Sequence, residues 1–166
     1  NKPDTLGKHV YKLHHDSESF NVKSINPSSL QIMHIAAHID AIEGDIIPTL
    51  KSGKCIILDR FWWSTLVYGK NFGANKEILQ AALKGEILAW GKVKPLAIFL
   101  LTRTSILKSE TDDDGWNKLC AAYYELAEEQ KHLCTVRTVN NDGSIEQTLK
   151  KVVENLHDLF ELTKEN

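Results

Sequence analysis

Three things are scarce in this sequence, and each scarcity excludes a class of protein. Charge of one sign is the first: 20 Lys and Arg stand against 22 Asp and Glu, a formal −2 over 166 residues. No basic field recommends nucleic acid as a partner. Long apolar runs are the second, because nothing approaches the ~20 residues needed to cross a bilayer, and no signal-peptide pattern is visible. No membrane partner is expected. Cysteine is the third. Cys55, Cys120 and Cys134 are odd in number, widely spaced and set in apolar segments, which reads as buried thiols in a reducing, cytoplasmic compartment. No internal repeat, low-complexity tract or linker interrupts the chain.

What the sequence does have is 42% hydrophobic residues, enough for one globular domain with a two- or three-layer core. A short amphipathic helix is expected from about Thr5 to His15. Ser28-x-x-Gln31 reads as a capping box opening a long helix to about Leu50. Its apolar side is Ile35, Ile39, Ile42 and Ile46, and Pro48 should kink or shorten its last turn. Lys54 to Leu58 is short and isoleucine-rich, hence a buried strand. Asn75 to Trp90 is a helix stopped by Gly91, and Leu96 to Leu101 a second strand. Thr102 to Asp114 is a polar loop. Gly115 to Gln130 is a helix, Leu133 to Val139 an edge strand, and Ser144-x-x-Gln147 caps a final helix. This alternation is that of a parallel, doubly wound α/β sheet with helices on both faces.

The densest chemistry lies in Leu58-Asp59-Arg60-Phe61-Trp62-Trp63-Ser64-Thr65-Leu66-Val67-Tyr68-Gly69. An acid and an arginine stand where the expected strand leaves its sheet, which is where open α/β proteins bind ligands. Together they offer a carboxylate that can hold a metal or its water beside a planar, permanently charged phosphate clamp. The plainer alternative is a strand-end ion pair with packed aromatics. Phe61, Trp62, Trp63 and Phe72 suit either a wall for stacking a base or a core, and one of the adjacent tryptophans must face inward.

The pattern Asp59-Arg60-Phe61-x-x-Ser64-x-x-x-Tyr68 resembles the signature of thymidylate kinases, a branch of the P-loop nucleoside monophosphate kinases. The order of elements around it, Gly53 before the Asp-Arg segment and Tyr123-Tyr124-Glu125-Leu126-Ala127 resemble the same family. The resemblance implies a P-loop NTPase-type α/β fold and transfer of the ATP γ-phosphoryl group to a nucleoside monophosphate with Mg²⁺. It assigns Arg60 to the acceptor phosphate and Asp59 to Mg²⁺ through its water. Ser64 and Tyr68 help to shape the acceptor pocket, and a homodimer through the long helix is implied.

The chain departs from the family pattern in three places. No Gly-x-x-x-x-Gly-Lys-Ser/Thr occurs in it, so the backbone cradle for ATP phosphates is absent; Leu6-Gly7-Lys8-His9 cannot replace it. Asn1-Lys2-Pro3 matches the end of the family's second strand, so the expectation for residues 1–166 is a thymidylate kinase-like domain lacking its P-loop strand and helix, with that segment upstream. His34 and His38 stand where the family has a base-stacking Phe and an Arg, and Gly69 replaces its Gln. The two histidines either line the acceptor pocket, are partly exposed helix residues, or form an i, i+4 metal pair. With Gln31 and Asp45 they form a polar lane. Finally, Thr102 to Asp114 matches the family's lid, but Arg103 is its only arginine, among Lys108, Glu110, Asp112, Asp113 and Asp114. Arg103 is either a lid cation or a strand-end residue. Besides the monophosphate kinase, the sequence leaves open a non-catalytic nucleotide-binding or scaffold relative, or a kinase for another small phosphate acceptor.

Overall fold

Residues 5–105 and 113–164 are described by a computed structural model, in two compact units, Asn1–Val93 and Lys94–Asn166. Asn1-Lys2-Pro3, matched above to the end of the family's second strand, and Lys108, Glu110 and Asp112 of the expected lid lie outside the described residues. In the first unit, helix α1 (Leu6–His15) starts where Thr5 accepts the Lys8 N–H on its hydroxyl at 3.3 Å. Helix α2 (Pro27–Ala41) is capped by Asn26, whose carboxamide oxygen accepts the Ser28 N–H, with Pro27 in the first turn. The expected Ser28 capping box is therefore corrected. Ser28 Oγ instead accepts the Asn75 N–H at 2.8 Å, joining the first turn of α2 to the cap of a later helix.

The long helix does reach Lys51, by way of a π-helical segment, Ile42–Ile46, and then α3 (Ile47–Lys51). Pro48 explains the widened turn. It lacks an N–H, and its ring would crowd the carbonyl four residues back in a regular helix. Helix α4 (Trp62–Asn71) was not anticipated from the sequence. Helix α5 (Lys76–Trp90) runs from its Asn75 cap to Gly91, whose φ of 59° ends it. Helix α2 packs against α1, α4 and α5. Ile35, Leu79 and Leu83 centre the core, with Ile39, Trp62, Leu66 and Ala82 around them. Trp63 is buried and Trp62 half-buried.

Lys54 to Leu58 is not a strand. Residues 5–93 contain none, so the segment's N–H and C=O groups have no ladder to join within their unit. It runs as irregular backbone, with Ile57 95% exposed. Cys55 is exposed too, and Cys120 and Cys134 are half-buried, which corrects the expectation of buried thiols.

In the second unit, strands β1 (Ala97–Thr102) and β2 (Thr135–Asn140) pair in parallel, from Ala97 opposite Thr135 to Thr102 opposite Asn140. Helix α6 (Asp113–Gln130) packs on β1, and α7 (Ile145–Lys164) on β2. Leu126, Ala127, Val139 and Leu159 are buried. The α7 capping box is as expected: the Ser144 N–H donates to Gln147 Oε1 at 3.0 Å and the Gln147 N–H to Ser144 Oγ at 3.2 Å.

Candidate functional site

Asp59, Arg60 and Phe61 form one tight turn. The Phe61 N–H donates to the Asp59 carbonyl at 3.0 Å, an i to i+2 bond closed around Arg60 at φ 67°, and Phe61 follows at φ 64°. Positive φ of this kind costs an L-residue roughly 1–2 kcal/mol, so two in succession persist only where their surroundings hold them. The holding groups are visible. The Phe61 ring stacks on His38 with centroids 4.1 Å apart and planes at 17°, and meets Trp62 and Trp90 edge-on at 6.3 and 5.7 Å. His38 Nδ1 lies 3.1 Å from Oε2 of Glu86, a residue 1% exposed. A carboxylate withdrawn from water needs such a partner. Its other oxygen, Oε1, has none among the described residues.

The turn leaves Arg60 at the surface. Its Nη1 donates to the Tyr68 hydroxyl at 3.3 Å, and its Cζ lies 5.8 Å from the Tyr68 ring centroid. Tyr68 is itself stacked with Phe72. Helix α4 makes this meeting possible: it starts directly after the turn, and Ser64 and Tyr68, four residues apart, share one of its faces. Asp59 is exposed beside them, with its carbonyl engaged in the turn.

The two candidate histidines of α2 have different surroundings. His38 belongs to the Phe61 and Glu86 cluster. His34 Nε2 lies 3.3 Å from His14 Nδ1, ring edge to ring face. Burial, then the neighbouring His14, His38 and His15, push the His34 pKa down to about 4. At neutral pH His34 is uncharged, a ring that can stack or hydrogen-bond but not a phosphate cation. Gln31, the first residue of the expected polar lane, is buried.

No group of three or more His, Cys, Asp or Glu among the described residues is arranged to hold a metal ion. Asp59, one exposed carboxylate, does not make a Mg²⁺ site by itself, and nothing in the chain supplies the glycine-lysine cradle for ATP phosphates. These residues do not fit Mg²⁺ or ATP on their own. Arg103 lies in the second unit, half-buried after the end of β1, its Nε without a partner among the described residues. Next to it the Thr104 N–H donates to Asp142 Oδ1 at 2.9 Å.

Sequence reasoning missed Glu86 and Trp90. A signal for Glu86 was present: Leu79, Leu83 and Glu86 fall at i, i+4 and i+7, which puts an acid on the apolar face of α5.

Comparison with known proteins covers most of this sequence. The family model described as Thymidylate kinase matches residues 5–152. Thymidylate kinase of Neorickettsia sennetsu is 26% identical over 134 residues, 77% of this chain and 66% of the relative. That of Chlamydia trachomatis serovar L2 is 36% identical over 97 residues, 58% of this chain and 46% of the relative. That of Bartonella henselae is 41% identical over 71 residues, 42% and 32% respectively. The chain thus matches between 32% and 66% of the length of these curated relatives.

Proposed function

We propose, for a chain that belongs to the thymidylate kinase family and has its P-loop NTPase-type α/β fold, that the Asp59–Tyr68 segment grips the phosphate of a nucleoside monophosphate. The chain would then serve in transfer of the ATP γ-phosphoryl group to that acceptor. The observation that carries the reading is Arg60: a permanently charged fork on a strained turn, exposed, and engaged by a phenol that an incoming phosphate can displace. Phosphoryl transfer is chiefly positioning and charge neutralisation. Arg60 would orient the acceptor phosphate through two parallel N–H donors. The Tyr68 hydroxyl would hold the guanidinium in place before the nucleotide arrives, and Ser64, one turn earlier on the same face of α4, would border the pocket. His34, uncharged at neutral pH, would offer a ring face or a hydrogen bond to the base.

ATP and Mg²⁺ are the donor and ion that this reaction class uses. The residues described do not hold either, so the roles assigned here stay on the acceptor side. Arg103 is proposed as a cation of the lid-like segment 102–114, and a homodimer through α2 accords with the 43% exposure of Ile32 on that helix. Among the described residues no helix is long and apolar enough to cross a membrane.

Two experiments test the reading. Calorimetric titration of the chain with dTMP, dUMP, UMP, CMP and dGMP should find at least one ligand, lost in Arg60→Ala. Coupled ADP-release assays on the whole protein should show turnover with that nucleotide. The rival reading is a relative that binds nucleotides without catalysis. Binding without turnover would favour that rival, and no binding of any monophosphate would end the acceptor assignment.

A further inference from the structure

We infer that Glu86 is a positioning residue for Arg60, acting through His38 and Phe61; as an account of acceptor binding, the inference rests on the function proposed above. The chain of contacts is continuous within one unit. Glu86, 1% exposed on α5, places Oε2 3.1 Å from His38 Nδ1 on α2. The contact fixes the rotation of the imidazole, and the imidazole face lies flat on Phe61 at 4.1 Å. Phe61 is the second of two positive-φ residues, and its N–H closes the turn that carries Arg60.

Each link answers a physical need. A turn with two left-handed L-residues relaxes unless its side chains are fixed. A stacked aromatic can fix it only if its partner ring does not rotate, and an imidazole half in the core rotates unless one nitrogen is anchored. An acid on an otherwise apolar helix face has no packing rationale of its own. Leucine would fill that site without leaving a carboxylate oxygen, Oε1, unpartnered among the described residues. Retaining a carboxylate there is explained by what it holds.

The test separates this role from simple core packing. Glu86→Leu keeps the volume and removes the anchor, while Glu86→Gln keeps an oxygen able to accept the His38 N–H. Trypsin cuts after arginine and therefore reads the turn directly. In the leucine variant, cleavage after Arg60 should speed up by about tenfold as local opening becomes more frequent, with the thermal midpoint of the fold held. The glutamine variant should cleave as the original chain does. In calorimetry with the preferred monophosphate, the leucine variant should bind about tenfold more weakly, and glutamine should restore affinity. If Glu86→Leu leaves both cleavage and affinity unchanged, the positioning role is overturned while the acceptor site survives. Should the unaltered chain bind no monophosphate, the acceptor reading falls, and the cleavage rates alone decide whether Glu86 holds the turn. A lower thermal midpoint with unchanged cleavage after Arg60 would assign Glu86 to packing and refute the inference.

Discussion

Arg60 and Arg103 both follow an apolar run, yet their surroundings differ. Arg60 sits at φ 67° in a turn closed by an i to i+2 bond, exposed, with a tyrosine hydroxyl as its neutral partner. Arg103 is half-buried after the last residue of β1. Its Nε has no partner among the described residues, and Asp142 stands close enough to feel its charge. Strain and a neutral partner characterise a cation kept available for a ligand. Ordinary backbone and an acidic neighbour restrain Arg103, so its contribution as a lid cation should be the smaller of the two.

The largest expected effect would break this contrast if it failed. In the whole protein, Arg60→Ala should lower kcat/KM for the monophosphate by roughly 3 kcal/mol, on the order of 100-fold, because a bound phosphate would lose a charged two-donor partner. Arg103→Ala should cost about 1 kcal/mol or less. Equal losses would make the two cations equivalent.

Acid should act on the unit that carries Arg60 through His34. The folded state holds His34 near pKa 4, below the ordinary 6.5. The unfolded chain therefore binds a proton first, and stability should fall as pH drops from about 6.5 towards 4. Urea unfolding at pH 7 and pH 5 measures this, and His34→Gln should shrink the difference. A drop of equal size in that variant would remove His34 as its source.

A smaller effect of opposite sign at the two arginines concerns strain. Arg60→Gly should stabilise the fold by about 0.5 kcal/mol, relief of positive φ exceeding the entropy that glycine adds to the unfolded chain. Arg103→Gly should destabilise by about as much. Urea midpoints decide both, and a loss of stability in Arg60→Gly would mean that the turn is not strained.

The finest test concerns Asp142. The Thr104 N–H, then Asn140, hold its carboxyl below the usual 3.8, with Arg103 contributing least. Its stabilising contribution is present above about 3.8 and lost as pH falls through the lower folded value. Carbon-detected NMR titration should find a depressed midpoint that stays depressed in Arg103→Met. Return of the midpoint to 3.8 would make Arg103 the main partner of Asp142 and bring the two arginines closer in kind.

Local rules made most helices legible. Asn75 and Gly91 bound α5, and the reciprocal Ser144 and Gln147 bonds begin α7, because caps depend on residues three or four apart. The run from Leu96 was legible as β1 because a parallel partner, β2, exists for it. The equally apolar Lys54 to Leu58 was misread, since pairing depends on a neighbour that hydrophobicity alone does not supply. Helix α4 was hidden by its aromatic and β-branched residues, modest helix formers that packing against α2 and α5 overrides. Of the candidate site, the family resemblance singled out Asp59, Arg60, Ser64 and Tyr68, and Arg60 and Tyr68 do meet. The division of labour between His34 and His38 could not, because it depends on His14 and Glu86, 20 and 48 residues distant along the chain.

Gly69 bears on what later substitutions this protein tolerates. A Cβ at that position would lie 2.8 Å from Leu79 Cδ2 and 3.3 Å from Gln31 Cγ, both from buried residues. Helix α4 has settled into the room left by a missing side chain. Any side chain added there must displace the end of Leu79 and the stem of Gln31, so Gly69→Gln should lose stability and a smaller residue at 79 should return part of it.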